Sequence, residues 1–141
     1  MRKFGLIVLL LAFSLTATAK GFKKESETKV FADSLMTQFI KGDFAGALNK
    51  AKVYWPLPAI EIDGMLNKIN QQWPLVKQRF GKTTGKELVQ TIRIGKSFIR
   101  YVYLHKFENH AIYWQIDFYR PLNEWQINQI IFLDNLNTLY N

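Results

Sequence analysis

One histidine and two tyrosines are spaced for acid–base chemistry. Tyr101, Tyr103 and His105 alternate along one stretch, so in a β-strand their side chains share a face. An imidazole there can take a proton, and a phenol beside it can donate a hydrogen bond to developing charge. Such a set would suit a proton-transfer reaction, with His105 as base and Tyr101 or Tyr103 as donor. No carboxylate joins that face. Strand parity turns Asp117 outward and puts Asp134 on the outer side of a strand end. Glu61 and Asp63 fall at a helix start, where acids suit the macrodipole. A lone inward histidine is more often a hydrogen-bonded core residue than a base, so catalysis is the alternative reading and non-enzymatic binding the preferred one.

Two further polar residues, Gln90 and Gln129, fall with Tyr101 and Ile116 in one row across four expected strands, next to Trp114. Buried polar groups need partners. The row is therefore either a closed hydrogen-bonded network or the lining of a pocket for a small apolar ligand. Tyr54 and Trp55, at a chain break, are placed to close one mouth of such a pocket.

Other chemistries find no residues. The chain has no cysteine, which excludes a thiolate nucleophile, a thiolate metal site and a disulfide framework. Its two histidines, His105 and His110, lie diagonally across a hairpin, roughly 7–8 Å apart, without an inward carboxylate, so no metal site is expected. Gly81 and Gly85 flank Lys82-Thr83-Thr84 without P-loop spacing. No serine sits in a nucleophile elbow, and no cofactor is expected.

These side chains must be positioned by one small domain. The chain has 141 residues, 48% hydrophobic and 15% aromatic, with a formal charge of +8. It opens with Met1-Arg2-Lys3, an apolar run from Phe4 to Leu15, and Ala17-Thr18-Ala19. That order reads as a signal peptide cleaved after Ala19. The run of 12 residues is shorter than the ~20 a membrane span needs. Lys20 follows the cut, not cysteine, so no lipid can attach there. The remaining 122 residues carry +6. The location expected is periplasmic or secreted, and the absence of cysteine and of a glycosylation sequon fits a bacterial periplasm better than a eukaryotic secretory route. Lys20, Lys23, Lys24 and Lys29 crowd the new amino terminus. Residues 20–28 are expected to form a frayed basic tail able to touch an anionic envelope surface; residues 29–141 form the domain. Nucleic acid binding needs a basic stripe on a folded face, which is not expected in this compartment.

Within the domain, Val30, Phe31, Leu35, Phe39 and Ile40 recur at helical spacing. Gly42 ends that helix and Asp43 caps the next, which carries Phe44, Ala47, Leu48 and Ala51. After Trp55-Pro56-Leu57-Pro58, a third pattern runs through Ile62, Met65, Leu66, Ile69, Trp73, Val76 and Phe80. Pro74 predicts a kink or restart there. The second half alternates with period two. Two-residue turns at Gly95-Lys96, Glu108-Asn109 and Leu122-Asn123 predict a four-stranded antiparallel meander. The registers pair Ile92 with Ile99, Gln90 with Tyr101, Tyr103 with Trp114, Trp114 with Ile131 and Phe118 with Ile127. Arg100 falls opposite Asp117. The predicted class is α+β, with three helices on one face of a curved sheet. The opposite face carries Phe98, Val102, Leu104, Tyr113, Tyr119, Ile130 and Phe132. An exposed apolar band of that kind predicts a homodimer or an envelope protein partner.

The order of elements resembles the nuclear-transport-factor-2-like superfamily, also called ketosteroid-isomerase-like or cystatin-like. The resemblance covers Phe31 to about Leu133 and is carried by Lys41-Gly42-Asp43-Phe44, Phe80-Gly81-Lys82 and Leu122-Asn123-Glu124-Trp125. In detail the chain is similar to small secreted bacterial members of unknown function. The resemblance implies a sheet wrapped around the helices as a cone, a pocket inside it and a dimer through the outer sheet face. Enzymes of the superfamily place a carboxylate in the cone, which this sequence does not offer; the enzymatic alternative that the resemblance implies is a small isomerase, dehydratase or cyclase with His105 in place of that acid and Tyr101 or Tyr103 as donor.

Overall fold

Gly42, at φ 77°, turns the chain out of α1 (Glu25–Ile40), and Asp43 starts α2 (Phe44–Lys52) by accepting the Gly46 N–H at 3.0 Å. Both roles follow from residue type: glycine tolerates positive φ, and an aspartate side chain satisfies a helix's orphan N–H. The computed structural model describes residues 19–140; the expected signal peptide lies outside the described residues, apart from Ala19. Pro58 precedes α3 (Ala59–Phe80), which ends at Gly81 with φ 85°. Four strands follow: β1 (Thr83–Ile94), β2 (Phe98–Phe107), β3 (Ala111–Tyr119) and β4 (Gln126–Leu133). They pair antiparallel in chain order, in a curled sheet that does not close. This is the expected α+β architecture. A short 3-10 helix, η1 (Leu136–Leu139), ends the described chain.

The helices bury the stripes their spacing predicts, with one exception. Phe44, Ala47, Leu48 and Ala51 of α2 are all in the core. On α1 the buried face is Thr28, Ala32, Leu35, Met36 and Phe39, and Val30 points to solvent at 69% exposure. α3 runs unbroken through Pro74. The proline removes the N–H that the Asn70 carbonyl would accept, yet no restart occurs.

Residues 20–28 are not a frayed tail. The Lys20 N–H donates to the Val53 carbonyl at 2.9 Å, and Phe22 exchanges two backbone hydrogen bonds of 2.8 Å with Trp125. The Phe22 ring stacks on Tyr54 at 4.2 Å and contacts Phe31 at 5.1 Å. Lys24 already precedes α1, and its N–H is taken by the Glu27 carboxylate at 2.9 Å. An aromatic residue among four lysines is enough to dock the segment, because its burial outweighs the fraying entropy.

The middle hairpin has the predicted register throughout: Tyr101 faces Ile116, Tyr103 faces Trp114 and Arg100 faces Asp117. The flanking pairs each slip by one residue over part of their length. The first turn uses Gly95, Lys96 and Ser97, so Ile92 pairs with Arg100 and Gln90 with Val102; a bulge at Val89 then restores the expected Leu88–Tyr103 pair. On β4, Phe118–Ile127 is as predicted. A bulge at Asn128 then shifts the rest, giving Asp117–Gln129, Ile116–Ile130 and Trp114–Phe132. A one-residue slip exchanges the two faces of a strand, and bulges of this kind bend a sheet that must curl.

Candidate functional site

The slips redistribute the residues singled out by sequence. Gln90 lies on the outer face, where its side-chain amide donates to the Leu139 carbonyl at 3.0 Å. Gln129 is exposed on that same face, opposite Asp117. The polar row of Gln90, Tyr101, Ile116 and Gln129 therefore does not exist. In place of Gln90, Thr91 and Arg93 share the side of Tyr101 and Ile99, and Arg93 forms a 2.5 Å ion pair with Glu25 of α1. Ile130 and Phe132 are likewise not outer-face residues. Ile130 is in the core, and Phe132 packs its ring 4.9 Å from Trp114.

Tyr101, Tyr103, His105 and Trp114 do face inward, and all four are buried. Their polar atoms are engaged by protein. Tyr101 shares a 2.8 Å hydrogen bond with the Thr28 hydroxyl, and the Tyr103 hydroxyl donates to the Asp33 carboxylate. Sequence did not single out Thr28 or Asp33. The spacing carries a signal: five residues of helix rise about 7.5 Å, close to the ~6.6 Å between alternate strand residues. Two phenols on one strand face can therefore meet both side chains.

His105 has no exposure. The Trp114 indole donates to its Nδ1 at 3.3 Å, and the Thr83 hydroxyl lies 2.9 Å from its Nε2. An indole N–H can only donate. Nδ1 is therefore an acceptor, and the ring proton of the neutral imidazole sits on Nε2 and is donated to Thr83. The ring stacks on Phe107 at 4.3 Å with a 7° tilt. Burial lowers its pKa to about 4. No lone pair remains to accept a substrate proton.

The other titratable groups are equally committed. Burial raises the Asp33 carboxyl, but hydrogen bonds from Lys29 and Tyr103 outweigh it, and the net shift is downward. Burial raises both Tyr101 and Tyr103, Tyr103 the more strongly, with the Asp33 carboxylate adding to it. Both phenols therefore stay protonated donors to fixed partners. Tyr54 and Trp55 do not frame a mouth over this cluster: Trp55 is core, and Tyr54 is stacked under Phe22.

Open space lies elsewhere. A cleft of about 360 Å³ runs between α3 and the ends of β3 and β4. Val76, Phe80, Ile112 and Phe132 form its floor, Leu75 and Leu133 its apolar rim, and Gln72, Arg79 and Asp134 its polar edge. Sequence reasoning missed it, because Phe132 enters the cleft only through the Asn128 bulge.

The outer sheet face is partly roofed by the chain itself. The Tyr113 hydroxyl bonds Thr138 of η1 at 2.7 Å, and Leu104 shares a cavity with Leu136 and Leu139. Val102 and Tyr113 are buried, while Ile92, Ile94 and Tyr119 remain exposed beside Phe98. Comparison with protein-family models, curated proteins and solved structures finds no match to this chain.

Proposed function

We propose that the chain is a secreted or periplasmic, non-enzymatic binding module of nuclear-transport-factor-2-like type. It takes a small apolar ligand in the cleft between α3 and the sheet. The observation that carries this reading is the closure of the interior polar cluster. With both His105 nitrogens held by Trp114 and Thr83, the acid–base alternative loses its base. The cleft offers what an apolar ligand needs: a hydrophobic floor with a few polar groups at one edge. Its 360 Å³ lies within the range of about 300–1,000 Å³ common for ligand sites.

A titration with N-phenyl-1-naphthylamine tests the reading. Saturable enhancement of its fluorescence is expected, weakened at least tenfold by Leu75→Arg. That side chain is more than half exposed, so the substitution leaves the core intact. Absence of saturation, or an affinity unchanged in Leu75→Arg, sinks it. A second surface has its own support. Phe98 and Tyr119, the part of the expected interface that η1 leaves open, are joined on the outer sheet face by Ile92 and Ile94, which the register slip turns outward, in one uncovered apolar group. It suits a homodimer or an envelope protein partner.

A further inference from the structure

We propose that the domain carries a receptor for its own processed amino terminus: the ammonium created at Lys20 seats on the Val53 carbonyl at the end of α2, with the Glu124 carboxylate beside it. The proposal rests on the cleavage after Ala19 put forward above.

Both polar atoms of the Ala19–Lys20 peptide bond are held by the fold. The Lys20 nitrogen donates to the Val53 carbonyl at 2.9 Å, and the Ala19 carbonyl accepts from the Gln126 side chain at 3.4 Å. The next residue fixes the approach. A Cβ at Gly21 would come within 2.5 Å of the Glu124 Cβ and 2.7 Å of its Oε2, so only glycine lets the chain run this close to that carboxylate. Phe22 then locks onto Trp125. Val53 is the C-cap of α2, the negative end of that helix dipole.

Hydrolysis by a signal peptidase breaks the Ala19–Lys20 C–N bond with one water. Ala19 leaves as a carboxylate, and the Lys20 nitrogen takes up a proton and becomes an ammonium. The N–H donor to Val53 survives and now carries full positive charge at a helix C-terminus, a favourable placement. The charged groups around the seat are Lys50 and Lys52 in the last turn of α2 and Glu124 ahead of β4. Lys52 is drawn aside to Asp63 of α3 at 2.6 Å, and the Glu124 carboxylate lies against Gly21, the residue next to the new charge. Because the fold occupies both atoms of the bond, the peptidase must act before this segment docks. Cleavage therefore precedes the last folding step and strengthens its product.

The test compares two chains released from a fusion by a protease that leaves no residue behind, one starting at Lys20 and one at Ala17. The longer chain keeps the Lys20 N–H but moves the charge away. At pH 6.5 the Lys20 chain is expected to melt roughly 2–4 °C higher. An α-amine ordinarily titrates near ~7.7–8.0, and the seat raises that value. The gain is thus full below it and is lost as pH rises through the higher folded value, leaving no difference at pH 10. Glu124→Gln in the Lys20 chain narrows the gap. Equal melting temperatures at pH 6.5, or a gap unchanged at pH 10, overturn the receptor. Amino-terminal sequencing of the chain exported by a bacterial host is expected to begin at Lys20. Any other start overturns the use of the seat in processing, whatever the melting result.

Discussion

Trp114 donates its indole N–H to Nδ1 of His105 in the centre of the domain. That bond fixes the histidine as a neutral acceptor and makes it a structural residue with a pH signature. Its folded pKa, pushed to about 4 by burial, lies below the ~6.5 of an unfolded histidine. The unfolded chain therefore binds the extra proton first. The contribution is complete above pH 6.5 and is lost as pH falls from 6.5 towards 4, on the order of 3 kcal/mol in all. Urea denaturation at pH 7 and pH 4.5 is expected to show this fall in wild type. His105→Gln lacks the imidazole step and should show a flatter profile; matching slopes in the two proteins would remove His105 as its source.

Arg100 and Asp117 form the strongest ion pair of the sheet. The Arg100 guanidinium makes two bonds to the Asp117 carboxylate, 2.8 and 2.9 Å, and the carboxylate side chain is only 1% exposed. A surface pair would contribute under ~1 kcal/mol, but a buried carboxylate stripped of its partner is strongly destabilising. Arg100→Met is expected to lower stability by about 2–4 kcal/mol, and adding Asp117→Asn to it should restore much of that loss. A single substitution that costs less than ~1 kcal/mol in chemical denaturation contradicts the assignment.

The parts of this fold legible in the sequence are those set by local rules. Gly42, Asp43 and Gly81 mark helix ends through their own chemistry, and the unbulged β2–β3 hairpin places Tyr101, Tyr103, His105 and Trp114 on the correct face. Alternation alone puts Gln90, Gln129, Ile130 and Phe132 on the wrong face, and all four lie in a stretch displaced by a three-residue turn or a bulge. Val89 and Asn128 carry no compositional mark of a bulge, because the bend answers the curvature of the whole sheet. The site is harder still. His105 reads as inward, but its silence as a base depends on Thr83 and Trp114, one on each neighbouring strand.

The same three-residue turn exposes a patch that can be tested for association. With Ile92 opposite Arg100, Ile92 and Ile94 share the outer face with Phe98, and Ile94 is 68% exposed. Light scattering of the chain starting at Lys20 is expected to show a dimer that Ile94→Lys returns to a monomer. The substitution touches no core residue, so the monomer should keep its melting temperature. A wild-type monomer at high protein concentration would rule out the homodimer.

Phe22 is the most consequential residue of the amino-terminal segment. Its ring lies against Tyr54, Phe31 and Phe118, the last at 6.0 Å, and its backbone pairs with Trp125. Phe22→Ala removes an aromatic side chain from a site that solvent can partly enter, so the loss should sit near the lower end of the core range, about 2–3 kcal/mol. Gly21→Ala acts through a different contact: its Cβ would collide with Glu124 and push the segment off the sheet edge. If the segment is part of the cooperative unit, each substitution lowers the single unfolding transition. A frayed segment predicts the opposite, with both variants unfolding at the wild-type midpoint in urea and only residues 19–22 gaining rapid amide exchange.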